Sequence, residues 1–345
     1  MKICQTLMHA VLLTSTALAS MITSAMDFPL RAEDLNLNHR YTTNTHAGSD
    51  GPQKHGKDFN AVRHIGGDRW SYLTSDSADA SKNSSYLIYG AVIRAMKAGT
   101  VVGCWRNAPQ NKPGSVLDGV KDGTISGGGN YVLVEHDNGV LALYAHAQPG
   151  SVPSSICPHN DTYRTSSSDF NVTGGVRIAK GQYLGKVGNS GRSSGPHLHV
   201  HMEKSDGTPV KMKFNQSMTT SFASQKASIN ASWKTLEGEA IPNGEVMIWA
   251  PHSVGYWTVN NIADENMQAW FDHFVDSGEM PNTYACSDNG QIYNTSWVPS
   301  KGSWKAFHGM TLNTFQNKSA NLAEKGYTRY GWWYCGSIYT GIWRK

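Results

Sequence analysis

Charge is scarce in this chain. Asp, Glu, Lys and Arg make up only 16% of its 345 residues, and the formal net charge is +4. Nothing in it resembles the dense basic stripe that neutralises nucleic-acid phosphates, so no nucleic-acid partner is expected. Close cysteine pairs are also missing. None of the five Cys sits in a CxxC spacing, which argues against a cysteine-held zinc knuckle. Beyond the first 25 residues no apolar run is long enough to cross a membrane. What the chain has in quantity is Gly, 35 in all, with many Ser, Thr, Tyr and Trp. That balance suits a turn-rich extracellular β protein better than a helical cytosolic enzyme.

The N-terminus reads as a targeting segment. Lys2 is its one charge, the stretch Leu7 to Ala19 is apolar, and small residues follow at Ala17-Leu18-Ala19 and Thr23-Ser24-Ala25. This is the pattern of a secretory signal peptide over residues 1–25. His9, Thr14, Ser15 and Thr16 interrupt the apolar stretch, which is short for a span of about 20 residues. Cleavage, secretion, no membrane contact afterwards and a monomeric product are therefore the expectation. Cys4 leaves with the signal, and Cys104, Cys157, Cys286 and Cys335 remain. An even count in a secreted chain implies two disulfides. Two cysteines fall in each half, so the expected pairs are Cys104–Cys157 and Cys286–Cys335.

Residues 26 to 45 read as an irregular leader. From His46 to Lys213, short β runs alternate with Gly-rich turns: Ala91–Ala95, Gly99–Cys104, Tyr131–His136, Val140–His146, Gly185–Val187 and His197–Met202. Asp137-Asn138-Gly139 between two of them is a hairpin signal. Residues 214–245, rich in Ser, Thr and Asn, read as a connector. Beyond them the sequence nearly repeats itself. Met267, Trp270, Phe271 and Phe274 have helical spacing and precede Gly278, and Leu312, Phe315 and Leu322 do the same before Gly326. Each stretch leads to a Tyr with Trp four residues later, Tyr293/Trp297 and Tyr339/Trp343, a period that marks a repeat. Trp297 and Trp343 are expected in the core. Of the adjacent Trp332 and Trp333, one is expected to face outward.

Three groups of residues carry chemistry. In Gly195-Pro196-His197-Leu198-His199, alternate side chains of a strand share a face, so His197 and His199 point the same way and His201 continues that face. Two imidazoles about 7 Å apart along a strand can serve one metal centre, as ligand and neighbouring base. The Gly/Ser loop before them, residues 188–195, could let backbone approach a substrate closely. His146 ends the run Leu143-Tyr144-Ala145. His46 and Asp58 form a nitrogen–carboxylate pair suited to zinc, but Asp50 and His55 share their loop. His46/Asp50, His46/Asp58 and His55/Asp58 are all open by spacing, and the strand-like start at Asp58-Phe59 favours the second.

These residues resemble the lysostaphin-type zinc endopeptidases that cut peptidoglycan cross-bridges, and within them the β-lytic/staphylolysin branch. The resemblance covers residues 46–203. It is carried by Gly195-Pro196-His197-Leu198-His199, Tyr144/His146, His46 with Asp58-Phe59, Ala98–Val102, Lys180-Gly181-Gln182 and Leu184-Gly185. The resemblance implies one Zn2+ per chain held by His46, Asp58 and His199, with His146 and His197 as catalytic, proton-handling groups. Position 201 departs from it, being His where many relatives have Glu, and residues 63–89 look like an insertion. The implied fold is mainly β: an antiparallel β-sheet metallopeptidase domain with long loops, residues 26–225, followed by a smaller α+β repeat domain, residues 226–345. The C-terminal units resemble bacterial tandem repeats ending in Tyr-x-x-x-Trp, which points to targeting. The implied substrate is a peptidoglycan peptide at a Gly-containing bond. A Gly-rich protein such as elastin, or a binding module that has lost catalysis, is the alternative.

Overall fold

The computed structural model describes residues 26–36, 39–46, 51–165, 170–223, 226–227 and 232–345. The expected signal segment and Asp50 lie outside them. The architecture is mainly antiparallel β, as the sequence implies. In chain order the first strands are β1 (His39–Thr45), β2 (Lys57–His64), β3 (Trp70–Ser71), β4 (Val92–Arg94), β5 (Gly99–Trp105), β6 (Asn130–His136) and β7 (Val140–Ala147). They are followed by β8 (Asn171–Ile178), β9 (Tyr183–Lys186), β10 (Leu198–Lys204), β11 (Pro209–Val210), β12 (Lys213–Ser221), β13 (Lys234–Ala240) and β14 (Val246–Trp249). All but β4 and β9 join one sheet, whose main path runs β13-β12-β14-β1-β2-β10-β7-β6-β5-β8. β4 and β9 pair with each other. The hairpin β6–β7 turns at Asn138-Gly139, where Gly139 takes φ +73, a conformation that costs glycine least.

Two sequence expectations are corrected here. The leader is not irregular throughout, because β1 pairs with β2 over seven residues and with β14. Met26, Phe28 and Leu30 are buried, and the Phe28 ring meets Phe59 at 5.1 Å and Phe214 at 5.2 Å. Burying a side chain of this size contributes about 2 kcal/mol, which holds the leader against the sheet. Nor is the segment 214–245 a mere connector. β12, β13 and β14 lie within it or run just past it, and all belong to the large sheet. Thr, a β-branched residue, fits a half-buried pleated surface, and Thr219 and Thr220, with Ser217, are themselves buried. The large sheet therefore reaches Trp249, past the boundary expected at residue 225.

After the large sheet come two α+β units of the same order. The first is β15 (Trp257–Ala263), a helix over Asp264–Asp276, β16 (Glu279–Ser287) and β17 (Ile292–Pro299). The second is β18 (Trp304–Met310), a helix over Leu312–Glu324, β19 (Thr328–Cys335) and β20 (Ile338–Arg344). Their sheets run β15-β17-β16 and β18-β20-β19. Gly278 and Gly326 follow the helices at φ +97 and +80, the left-handed stop that glycine allows. Trp297 and Trp343 are fully buried, while Trp332 is 48% exposed beside a half-buried Trp333. Cys104–Cys157 and Cys286–Cys335 are bonded, the second pair joining the two units. Among the described residues no helix is long and apolar enough to cross a membrane.

Candidate metal centre

Three adjacent strands build the site. Asp58, at the start of β2, lies directly across from His199 on β10, and Asn44 of β1 lies across from Asp58 on the other side. His46 follows β1 by one residue. Sheet register thus brings together residues 153 positions apart in the chain. His199 Nδ1 is 2.8 Å from Asp58 Oδ1 and 3.0 Å from His46 Nε2, and His46 Nε2 is 3.1 Å from Asp58 Oδ1. Two imidazole nitrogens and a carboxylate oxygen converge, and they form the metal-competent cluster found among the described residues. The donor set fits zinc, which takes His and carboxylate ligands and in catalytic sites keeps one position open. His55 stands apart on the short turn Pro52–His55, in a hollow with Lys57 and Lys211.

Two further imidazoles border the cluster. β7 lies on the far side of β10, with Ala145 across from His199, so His146 comes next to the site. Its ring centroid is 4.6 Å from that of His197 and 5.9 Å from that of His199. His146 is buried and takes φ +66, a backbone conformation unusual outside glycine and one that clusters at functional sites. Its Nδ1 lies 2.8 Å from the Ser190 carbonyl. His197, one residue before β10, has Nδ1 2.9 Å from the Gly195 carbonyl and Nε2 3.6 Å from Asp58 Oδ1. A carbonyl can only accept, so each neutral ring carries its proton on Nδ1 and leaves the Nε2 lone pair free.

The electrostatics follow from burial and these contacts. Burial alone would push Asp58 upward, but hydrogen bonds from His199 and His46 and the nearby His197 outweigh it and hold the carboxyl well below the usual range. The hydrogen bond to Asp58 raises His46. Burial lowers His197, and it lowers His146 much further, helped by the charges of His197 and His199. Both border imidazoles are therefore neutral near pH 7, the form in which a histidine can accept a proton.

The sequence marked the loop 188–195 for approach to a substrate, not for the Ser190 and Gly195 carbonyls that aim these rings. Glycine lets the loop 188–195 pack tightly against the protein's own backbone: a Cβ on Gly188 would lie 2.6 Å from Gln148 N, and one on Gly191 2.3 Å from Gly129 N. Asn111, 1% exposed, donates to the carbonyls of Gly191 and Ser193, and Ser193 Oγ donates to Asn189 Oδ1. These bonds brace the loop whose Ser190 and Gly195 carbonyls orient His146 and His197. Tyr144, expected beside the site, is buried with its hydroxyl accepting from Met96 N.

A His–Asp–His cluster on neighbouring antiparallel strands, flanked by two imidazoles, offers a metal site with proton-accepting groups beside it. Residues 157–212 match the model of peptidase family M23, and residues 301–328 match that of a polyglycine hydrolase-like structural repeat. The first match contains His197 and His199. The DD-carboxypeptidase/endopeptidase Mpg of Neisseria meningitidis is 33% identical over 142 residues, covering 38% of this chain and 28% of its own length. The peptidoglycan DD-endopeptidase ShyA of Vibrio cholerae is 33% identical over 94 residues, covering 27% of this chain and 17% of its own. This chain thus spans under a third of either relative. Among solved structures, the lysostaphin catalytic domain from Staphylococcus simulans is 17% identical with a TM-score of 0.24, over 54% of this chain and 87% of that one. The M23 metalloprotease pseudoalterin is 17% identical with a TM-score of 0.31, over 64% and 95%. Through this domain the chain is similar to the lysostaphin-type M23 metallopeptidases.

Proposed function

We propose that the protein is a secreted zinc endopeptidase that hydrolyses peptide bonds in peptidoglycan cross-bridges, at Gly-containing bonds. The observation that carries this is the convergence of three donor atoms 2.8–3.1 Å apart beside two imidazoles with free Nε2 atoms. His46, Asp58 and His199 would hold one ion. Bound there, the ion would supply Lewis acidity toward the scissile carbonyl and toward a water molecule. His197 accepts the proton of the attacking water at Nε2, since its Nδ1 is committed to the Gly195 carbonyl. His146 stands beside it to steady the developing oxyanion or protonate the leaving amine. The curated relatives, both with endopeptidase names and one named for peptidoglycan, favour a wall peptide over an elastin-like protein. The two α+β units serve to hold the enzyme to its substrate.

The test is zinc content together with loss of turbidity of purified cell walls, on the mature protein and on His199→Ala. Stoichiometric zinc with lysis abolished in the variant supports the reading. Lysis that persists without zinc would falsify it, and zinc without wall lysis moves the substrate to Gly-rich protein. Walls with pentaglycine bridges, compared with directly cross-linked walls, decide the bond.

A further inference from the structure

His199 uses one ring nitrogen in the cluster. Its other nitrogen, Nε2, lies 2.9 Å from Nδ1 of His201, two residues along the same strand and on the same face. His201 is 6% exposed, so no bulk water competes for this contact. An imidazole can offer the Nδ1 lone pair to a metal only if its proton sits on Nε2, and that proton needs an acceptor. His201 Nδ1 supplies the acceptor, which puts His201's own proton on its Nε2.

We propose that His201 is the positioning residue of the metal centre, a neutral imidazole that locks His199 in the tautomer able to bind zinc. The inference rests on the zinc reading above. The ring pair is held in a fitted space. A Cβ on Gly56 would stand 3.2 Å from His199 Cε1 and 3.4 Å from His201 Cβ, so the missing side chain leaves room for both rings. The acceptor's lack of charge has a consequence. Two imidazoles and one carboxylate bring a single negative charge to a divalent ion, so the site keeps one net positive charge. A carboxylate at position 201 would cancel it and make His199 a stronger donor. An imidazole there gives orientation without that neutralisation, and so a centre that binds its metal less tightly and polarises its substrate more.

Zinc affinity of the full-length protein, measured by chelator competition, should order the variants by the acceptor they carry. His201→Phe keeps bulk but offers no acceptor and should bind zinc about 10- to 100-fold more weakly. His201→Gln, which can present its amide oxygen, should recover most of that loss, and His201→Glu should bind more tightly than the wild type. A second readout is insensitive to a merely structural role. Nitrogen-resolved NMR of the zinc-loaded protein should show the proton of His199 on Nε2, coupled across the hydrogen bond to His201 Nδ1, and that coupling should vanish in His201→Phe. Should the Phe variant fail to fold, the Glu variant against wild type still decides. Equal affinity in Glu, Gln and wild type, or a His199 proton on Nδ1 in the loaded protein, overturns the inference. Tight zinc binding with this ordering but no peptide hydrolysis would leave it standing and sink only the peptidase reading.

Discussion

Acid should loosen the first α+β unit through one histidine. His273, on the Asp264–Asp276 helix, is 3% exposed, and its Nε2 lies 3.3 Å from His252 Nδ1. His252 Nε2 is in turn 3.3 Å from Glu279 Oε2, and Glu279 Oε1 accepts from Gly255 N. His252 follows β14 of the large sheet and Glu279 opens β16, so the chain of bonds runs from the large sheet into the first unit. Burial, aided by the charge of His252, lowers His273 to about 3, whereas an unfolded histidine titrates near 6.5. With a depressed folded value, the stability gained by keeping the ring neutral is fully present above pH 6.5. It is lost as pH falls from 6.5 toward 3, because over that window the unfolded chain binds the extra proton. At pH 5 the deficit is about 1.5 pH units at 1.36 kcal/mol each, or about 2 kcal/mol. Urea unfolding followed by tryptophan fluorescence at pH 7 and pH 5, on wild type and His273→Gln, isolates this group, since other titrations cancel in the double difference. The variant should lose about 2 kcal/mol less than wild type between the two pH values. Identical losses would refute the argument.

Three other perturbations have definite expected outcomes. Gly56→Ala places a Cβ 3.0 Å from the Gln53 carbonyl and 3.2 Å from the His199 ring. It should cost about 1 kcal/mol of stability by overpacking and weaken zinc binding about tenfold; unchanged chelator-competition curves would contradict the site geometry. His197→Ala and His146→Ala should each retain zinc yet lower kcat by about 10²- to 10⁴-fold, measured on a defined bridge peptide beside metal analysis. Replacing Cys286 and Cys335 with Ser opens a loop closed across 49 residues, and should cost up to about 4 kcal/mol in unfolding of the C-terminal units while leaving zinc content at wild-type stoichiometry.

Local patterns in the sequence were readable where structure depends on near neighbours. The two long helices, the β6–β7 hairpin and the shared face of His197 and His199 all follow from periodicity or turn chemistry. Long-range pairing was not readable. β12 and β13 carry many polar residues, and only their neighbours in the sheet make them strands. The leader likewise looks irregular until Phe28 is seen against Phe59 and Phe214. The same limit applied at the cluster, where spacing allowed three pairs drawn from His46, Asp50, His55 and Asp58. Register places His46 beside Asp58 through the Asn44–Asp58 rung and leaves His55 on its separate turn, while Asp50 lies outside the described residues. The carbonyls of Ser190 and Gly195 could not have been found from residue identity, since every residue carries one.

The rung on which Asp58 faces His199 also divides the chain into parts that can drift and parts that cannot. Inserting or deleting one residue inside β2 or β10 would turn the donors to the opposite side of the sheet. Lengthening the turns that join those strands would leave the rung untouched. Evolution, or an engineer seeking new cleavage preferences, is thus free to rewrite the loops around the centre while the strands beneath keep their count, much as interchangeable blades share one fixed handle.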